Sequence, residues 1–293
     1  MASTIDLKAK IVSTNGTAKI TKAMQLVSAV KMRKLQESFK ESQYYVEGLK
    51  TILSNISSAG TEEKVPLLRH PARQKTALVI VIGTSRGFVG SQISKLGSAV
   101  LELTELLNGK NIDFEIMTVK NRALKLIARY GLTSQYHFDD DYERIEPGKL
   151  TPLKQIIVDG FTTGKYDSVY LVYTEFYSTL VQKQHVRKFL PLEVDKIVEN
   201  QQEKHPEELS GAYLFEPDVS SILNRLTIDY VEVTLLNSIL SATASEYSAR
   251  MVAMQQASNN ALEIADSLLV QYNKTRQSAI TQQIQEIINA NIN

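Results

Sequence analysis

The chain has no cysteine among its 293 residues. That absence excludes a disulfide framework, thiolate metal sites, a cysteine nucleophile and a thiol redox switch. It fits a reducing compartment. Long apolar runs are also missing, and no window approaches the ~18 uninterrupted apolar residues of a membrane span. The opening MASTIDLKAK lacks an apolar core of signal-peptide length, and lacks the arginine-rich, acid-poor look of a transit peptide. A net charge of +1 gives no global pull toward nucleic acid or membrane, so any electrostatic attraction is local. Only four histidines occur, His70, His137, His185 and His205, far apart and without metal-ligand spacing.

Proline and glycine are missing where it matters most. All seven prolines lie between Pro66 and Pro217, and Asp218 to Asn293 contains neither proline nor glycine. Proline removes a helix donor and clashes with the preceding turn, and glycine loosens helices. The tail is therefore free to be helical throughout, and at ~1.5 Å per residue it reaches on the order of 110 Å. It carries a narrow stripe, Ala257, Ala261, Ile264, Leu268, Tyr272, Thr275 and Ala279, with Ile280, Ile284 and Ile287 as a second register. Alternating steps of three and four make one seam facing a partner helix. The N-terminal segment supplies the partner: Ile20, Ala23, Val27 and Val30 repeat this way, as do Val46, Leu49, Leu53 and Ile56. Gly16 and Gly48 are soft points, and Gly60 followed by Pro66 ends the helix.

Between the two ends the pattern is α/β. Thr76 to Ile82 (TALVIVI) reads as a buried strand, followed by the glycine loop GTSRGFVGS and a helix around Ile93 to Leu107. A strand at Ile112 to Val119, helices around Asn121 to Tyr130 and Leu153 to Phe161, and a strand at Ser168 to Tyr173 follow. Thr179 to Phe189 alternates like an edge strand. The expected fold class is α/β: a long antiparallel coiled coil of N- and C-terminal helices with an inserted Rossmann-like α/β domain. The expected division is residues 1–60, 74–195 and 212–293.

Chemistry-bearing patterns are few. Gly83 to Gly90 follows a strand and opens a helix, the context of a phosphate loop. GTSRGFVG matches neither GxGxxG nor GxxxxGK[ST], and a tight turn is the better reading. The acidic run Asp139, Asp140, Asp141 and Glu143 lacks the spaced oxygens and glycine of a calcium loop, and reads as a solvated loop. No catalytic, cofactor-binding or metal residue is assigned. Leu7 to Gln36 carries seven basic residues (Lys8, Lys10, Lys19, Lys22, Lys31, Arg33, Lys34) and no acidic one. A solvated face is the plain reading, nucleic acid is disfavoured for want of aromatics, and acidic loops of a protein ring are a third. From Gln277 to Asn293 the only charge is Glu286, which suits either a fraying polar end or a weakly bonded bearing.

ITKAMQLVSAVKMRK (Ile20 to Lys34), SEYSARMVAMQQASNNA (Ser245 to Ala261) and YNKTRQSAITQQIQEII (Tyr272 to Ile288) resemble the terminal signatures of the gamma subunit family of F-type rotary ATP synthases. YDSVYLVYTEF, FLPL and YLFEPD are similar to family segments, in family order. The resemblance implies a central rotor stalk, one copy per complex, whose terminal helices penetrate a ring of alpha and beta subunits. The inserted domain would bind epsilon and the c ring, and ATP chemistry would occur on the ring, with no cofactor here. It implies ring contacts at Met24, Lys31, Arg33, Arg250, Arg276, Gln277 and Thr281, and foot contacts at Tyr213 and Glu216. It also implies a peripheral location, on the cytoplasmic face of a bacterial membrane or the matrix side of a mitochondrial inner membrane. The glycine loop departs from the family pattern, because Ser85 stands where an aspartate is usual, which puts an electrostatic role for that loop in question. The alternative is a small-molecule-binding α/β domain on a coiled-coil dimerisation stalk, with its ligand at Gly83 to Gly90.

Overall fold

The computed structural model describes residues 4–57, 65–71, 73–140, 142, 148–192 and 218–292, the side chains of 54–57 and 289–292 aside. Helix α1 spans Thr4–Ser57 and runs unbroken through Gly16 and Gly48. A short 3-10 turn at Pro66–Leu68 precedes β1 (Thr76–Ile82), α2 (Gln92–Gly109) and β2 (Asp113–Val119). Next come α3 (Asn121–Arg129), β3 (Tyr136–Phe138), α4 (Thr151–Thr162), β4 (Ser168–Phe176) and β5 (Gln182–Leu190). The last element is α5, Val219–Ile292, 74 residues in one helix. It begins at Asp218, whose carboxylate accepts from the Ser221 backbone N–H at 2.8 Å and from the Ser220 and Ser221 hydroxyls.

The strands form one sheet in the order β3-β2-β1-β4-β5. β1 pairs in parallel with β2 and β4, β2 pairs in parallel with β3, and β5 is an antiparallel edge. Both faces of β1 are buried, which is why TALVIVI carries no polar alternation. Leu78, Ile80 and Ile82 face a core shared with Val46, Leu49 and Leu53 of α1, with α4, and with Leu223 to Ala242 of α5. Ala77, Val79 and Val81 face the opposite core, built with α2 and α3. Each large aliphatic side chain so buried is worth about 1.5–3 kcal/mol of transfer free energy.

The chain divides into two compact units, Lys31–Ala249 and Met1–Val30 with Arg250–Asn293. The division cuts through both long helices rather than at their ends. In the second unit the helices run antiparallel, because Ser258 Oγ meets the Ala18 carbonyl at 3.2 Å and Lys22 Nζ meets Gln255 Oε1 at 3.3 Å. Its α5 seam is Met254, Ser258, Ala261, Ala265, Leu268 and Tyr272, and its α1 seam is Leu7, Ile11, Ala18, Thr21, Gln25 and Ser28.

That seam corrects the expected one. On α1, Ile20, Val27 and Val30 are 64%, 56% and 72% exposed, and Ala23 is exposed beside them. On α5, Ala261, Leu268, Tyr272 and Thr275 hold their expected places, but Ile264 and Ala279 face outward and Ala265 takes the seam. At the middle of the seam the reason is size. Ala18, Ser28, Ser258, Ala261 and Ala265 let the backbones approach closely there, as the Ser258–Ala18 bond shows, and Ile20, Val27 and Val30 are left outside. Ile56, Gly60, Asp141, Glu143 and His205 fall outside what the structure describes.

Candidate functional site

The glycine loop after β1 shows where the sheet's chemistry lies. Gly83 donates to the Val119 carbonyl at 3.0 Å, and Arg122 N–H donates to the Thr84 carbonyl at 3.1 Å, so the loops after β1 and β2 are tied together. A Cβ on Gly83 would stand 2.7 Å from the Ala123 backbone nitrogen, so only glycine fits there. At Ser85 and Arg86 the backbone N–H groups turn toward α5 and donate to the Glu246 carboxylate, at 3.1 and 3.3 Å. Lys120, the residue after β2, completes the arrangement. Its backbone is left-handed (φ 72°) and its buried ammonium lies 3.0 Å from Glu246 Oε2 and 2.8 Å from Thr243 Oγ1.

The loop thus has an electrostatic role, and Ser85 does not remove it, because the donor is the residue's main chain. The loop weighed as a phosphate site, and read as a tight turn, already holds a carboxylate, whose charge opposes a second anion there. Sequence reasoning missed Glu246 and Lys120. One signal was present: Glu246 is the only acid between Glu232 and Glu263, in a stretch otherwise made to be buried.

A second polar cluster sits at the amino ends of the strands. Lys165 Nζ lies 2.8 Å from Glu115 Oε2 and 3.0 Å from Tyr136 Oη, and Tyr166 Oη also donates to Glu115. Burial pushes the Glu115 carboxyl up, but the hydrogen bonds from Lys165 and Tyr166 and the lysine's charge hold it below its ordinary value. An open groove of about 390 Å³ beside this cluster is lined partly by Asp159, Lys165 and Tyr166. Asp139 of the acidic run accepts from the Asn121 backbone and side-chain amides at the start of α3. Among the described residues no group of three His, Asp or Glu side chains is placed to hold a metal ion. Nor, among them, is any helix long and apolar enough to cross a membrane.

The residues expected to meet a ring are distributed along the helices. Met24 is half-buried beside the seam. Lys31 is half-buried, with Nζ 3.3 Å from Tyr247 Oη and 5.4 Å from that ring's centroid, while Arg33 is exposed. Arg250 is buried, at 5% exposure. Continuing the Ala18–Ser258 register places Thr4 beside roughly Tyr272. Accordingly, every described side chain from Arg276 to Ile288 is exposed, including Arg276, Gln277 and Thr281. Thr281 Oγ1 donates back to the Gln277 carbonyl at 2.9 Å. Tyr213 and Glu216 lie outside the described residues.

The family model described as ATP synthase matches residues 3–291. The ATP synthase gamma chain of Cupriavidus necator is 34% identical over 288 residues, covering 98% of each chain. That of Cupriavidus pinatubonensis is 35% identical over 290 residues, again 98% of each. This chain belongs to the ATP synthase gamma chain family. Its fold is similar to a chain of the Tetrahymena thermophila mitochondrial ATP synthase central stalk and c-ring structure, with a TM-score of 0.58 at 22% identity over 82% of this chain and 99% of that one. A chain in the Euglena gracilis OSCP/F1/c-ring structure shares the fold at a TM-score of 0.52 and 19% identity, over 89% of this chain and 94% of that one.

Proposed function

We propose that this chain is the central rotor subunit of an F-type ATP synthase, coupling ion-driven rotation to ATP synthesis and hydrolysis on a surrounding alpha/beta ring. The observation that carries the reading is the pairing of the chain's two ends as antiparallel helices, in a family whose members are ATP synthase gamma chains. The chain itself performs no catalysis in this reading, and ATP chemistry belongs to its partners. One copy sits in each complex, the α/β domain meets epsilon and the c ring, and contact with the membrane is indirect. The location is peripheral, on the cytoplasmic face of a bacterial membrane.

The outward stripe of Ile20, Ala23, Val27 and Val30, left bare by the seam, supports a surface that another protein covers. Met24 and Arg33 border it as ring contacts, and Arg276, Gln277 and Thr281 are contacts on the part of α5 that outruns α1. Lys31 joins them with its Tyr247 contact in place. Arg250 belongs to the set by its motif, and its burial argues that it acts by positioning its neighbours. Tyr213 and Glu216 are assigned to the foot on the resemblance alone.

Arg276→Ala in the assembled complex removes charge-assisted hydrogen bonds worth about 1.5–3 kcal/mol each, and lowers torque or assembly. Unchanged ATPase and ion pumping would refute that assignment. For the whole reading, a tag on this chain should co-purify alpha and beta subunits at three of each per copy. A self-associated chain that binds ATP by calorimetry would favour the small-molecule-binding alternative instead.

A further inference from the structure

We propose that the crevice at the carboxyl ends of β1 and β2 is an anion-binding site whose resident ligand is the chain's own Glu246 carboxylate. The inference does not depend on any partner assignment.

In open parallel sheets, ligands bind outside the carboxyl ends of the strands, near the point where the strand order reverses. Here the order β3-β2-β1-β4-β5 reverses between β1 and β4, and the loop leaving β1, which borders that point on the side of β2, is the one whose amides hold Glu246. The donor set is that of a ligand site. Two adjacent backbone N–H groups and one ammonium converge on one carboxylate, and side chains 120 and 246 are 0% and 2% exposed. Successive backbone amides in a turn make an anion-binding concavity. Their polarity is fixed by the fold, whatever side chains stand at 85 and 86.

The surroundings are built for this geometry. Gly83 allows the loop to press against the start of α3, and Lys120 holds a left-handed backbone that a non-glycine residue rarely adopts. Thr243, one turn before Glu246, accepts from Lys120 and donates to the Ile239 carbonyl at 2.6 Å, so the ammonium has a second partner on the same helix. Within the unit Lys31–Ala249, the site fixes both the rotation and the axial register of α5 against the sheet. A shift of one residue along the helix would replace the carboxylate by Ser245 or Tyr247. An apolar contact tolerates such sliding better than a site built from directional donors does.

Chemical rescue tests the proposal. Glu246→Ala in the full chain leaves three donors facing a space the size of a small carboxylate. Its unfolding midpoint should fall. Formate or acetate at tens of millimolar should then raise it saturably, recovering at least half of the loss, while sodium chloride at matched ionic strength does not. The unaltered chain should show no difference between these salts. A Glu246→Ala midpoint that responds to formate no more than to chloride overturns the proposal.

If Glu246→Ala does not fold, Glu246→Gln, Lys120→Met and their combination provide the reading. The two changes should be non-additive by more than tenfold in the unfolding equilibrium, and additivity overturns the proposal. The exchange Lys120→Glu with Glu246→Lys should not restore stability, because the Ser85 and Arg86 N–H groups would face a cation. Full recovery by that exchange would mean a simple ion pair rather than an anion site.

Discussion

Gly83 has a backbone neighbour where a side chain would stand, and that neighbour cannot turn away. Gly83→Ala should cost about 1–3 kcal/mol in urea unfolding, because the glycine loop must part from the start of α3. A midpoint within error of the unaltered chain would show that the loop yields. Asp218 gives a pH test. Hydrogen bonds from the Ser220 hydroxyl and from the Ser221 backbone and hydroxyl lower its carboxyl to about 2, from an ordinary 3.8. A carboxyl lowered by folding contributes stability that is complete above its unfolded value and fades as the pH falls through the folded one. Asp218→Ala should therefore lower the unfolding midpoint by a constant amount above about pH 4, and the gap should close toward pH 2. Glu115 behaves the same way, with a smaller share because Lys165 is half in water. Glu115→Gln should cost roughly 0–1 kcal/mol at neutral pH.

At the scale of elements, the α/β pattern was legible in the sequence because its signals are local. TALVIVI is a strand buried on both faces, and strand–helix alternation implies a parallel sheet. β3 was not legible, since three residues, Tyr136–Phe138, are too few for a period. The long helices were legible from missing proline and glycine, and the Val46, Leu49 and Leu53 stripe of α1 is buried, but between Ile20 and Val30 the inward side of α1 was read wrongly. Ile20, Val27 and Val30 are apolar at helical spacing, and spacing alone does not say which stripe the chain itself covers. Ala18 and Ser28 win the seam because small residues permit closer backbones. The Glu246 site was illegible for another reason: Ser85 and Glu246 lie 161 residues apart, and the donors are main-chain groups that no side-chain pattern reveals. Two outcomes follow for the seam. Gly16→Ala, with nothing within 4 Å of its new methyl, should stabilise α1 by about 0.5–1 kcal/mol. Ile20→Ala should leave the isolated chain within about 0.5 kcal/mol, yet weaken incorporation into the complex, as read by the yield of ring subunits on a tagged chain.

For the whole molecule, the proposed function makes this chain a moving part of an ATP synthase. Its two ends pair with each other, its outward stripe and the far end of α5 are exposed, and its sheet is occupied by its own helix. Each of these features suits a subunit whose work is mechanical. The most direct measurement is ATP-driven motion of a probe fixed to the α/β domain, in an assembled complex immobilised through its ring. The account predicts sustained rotation in one direction that stops when ATP is removed. A probe that stays still while the same complexes hydrolyse ATP would contradict it.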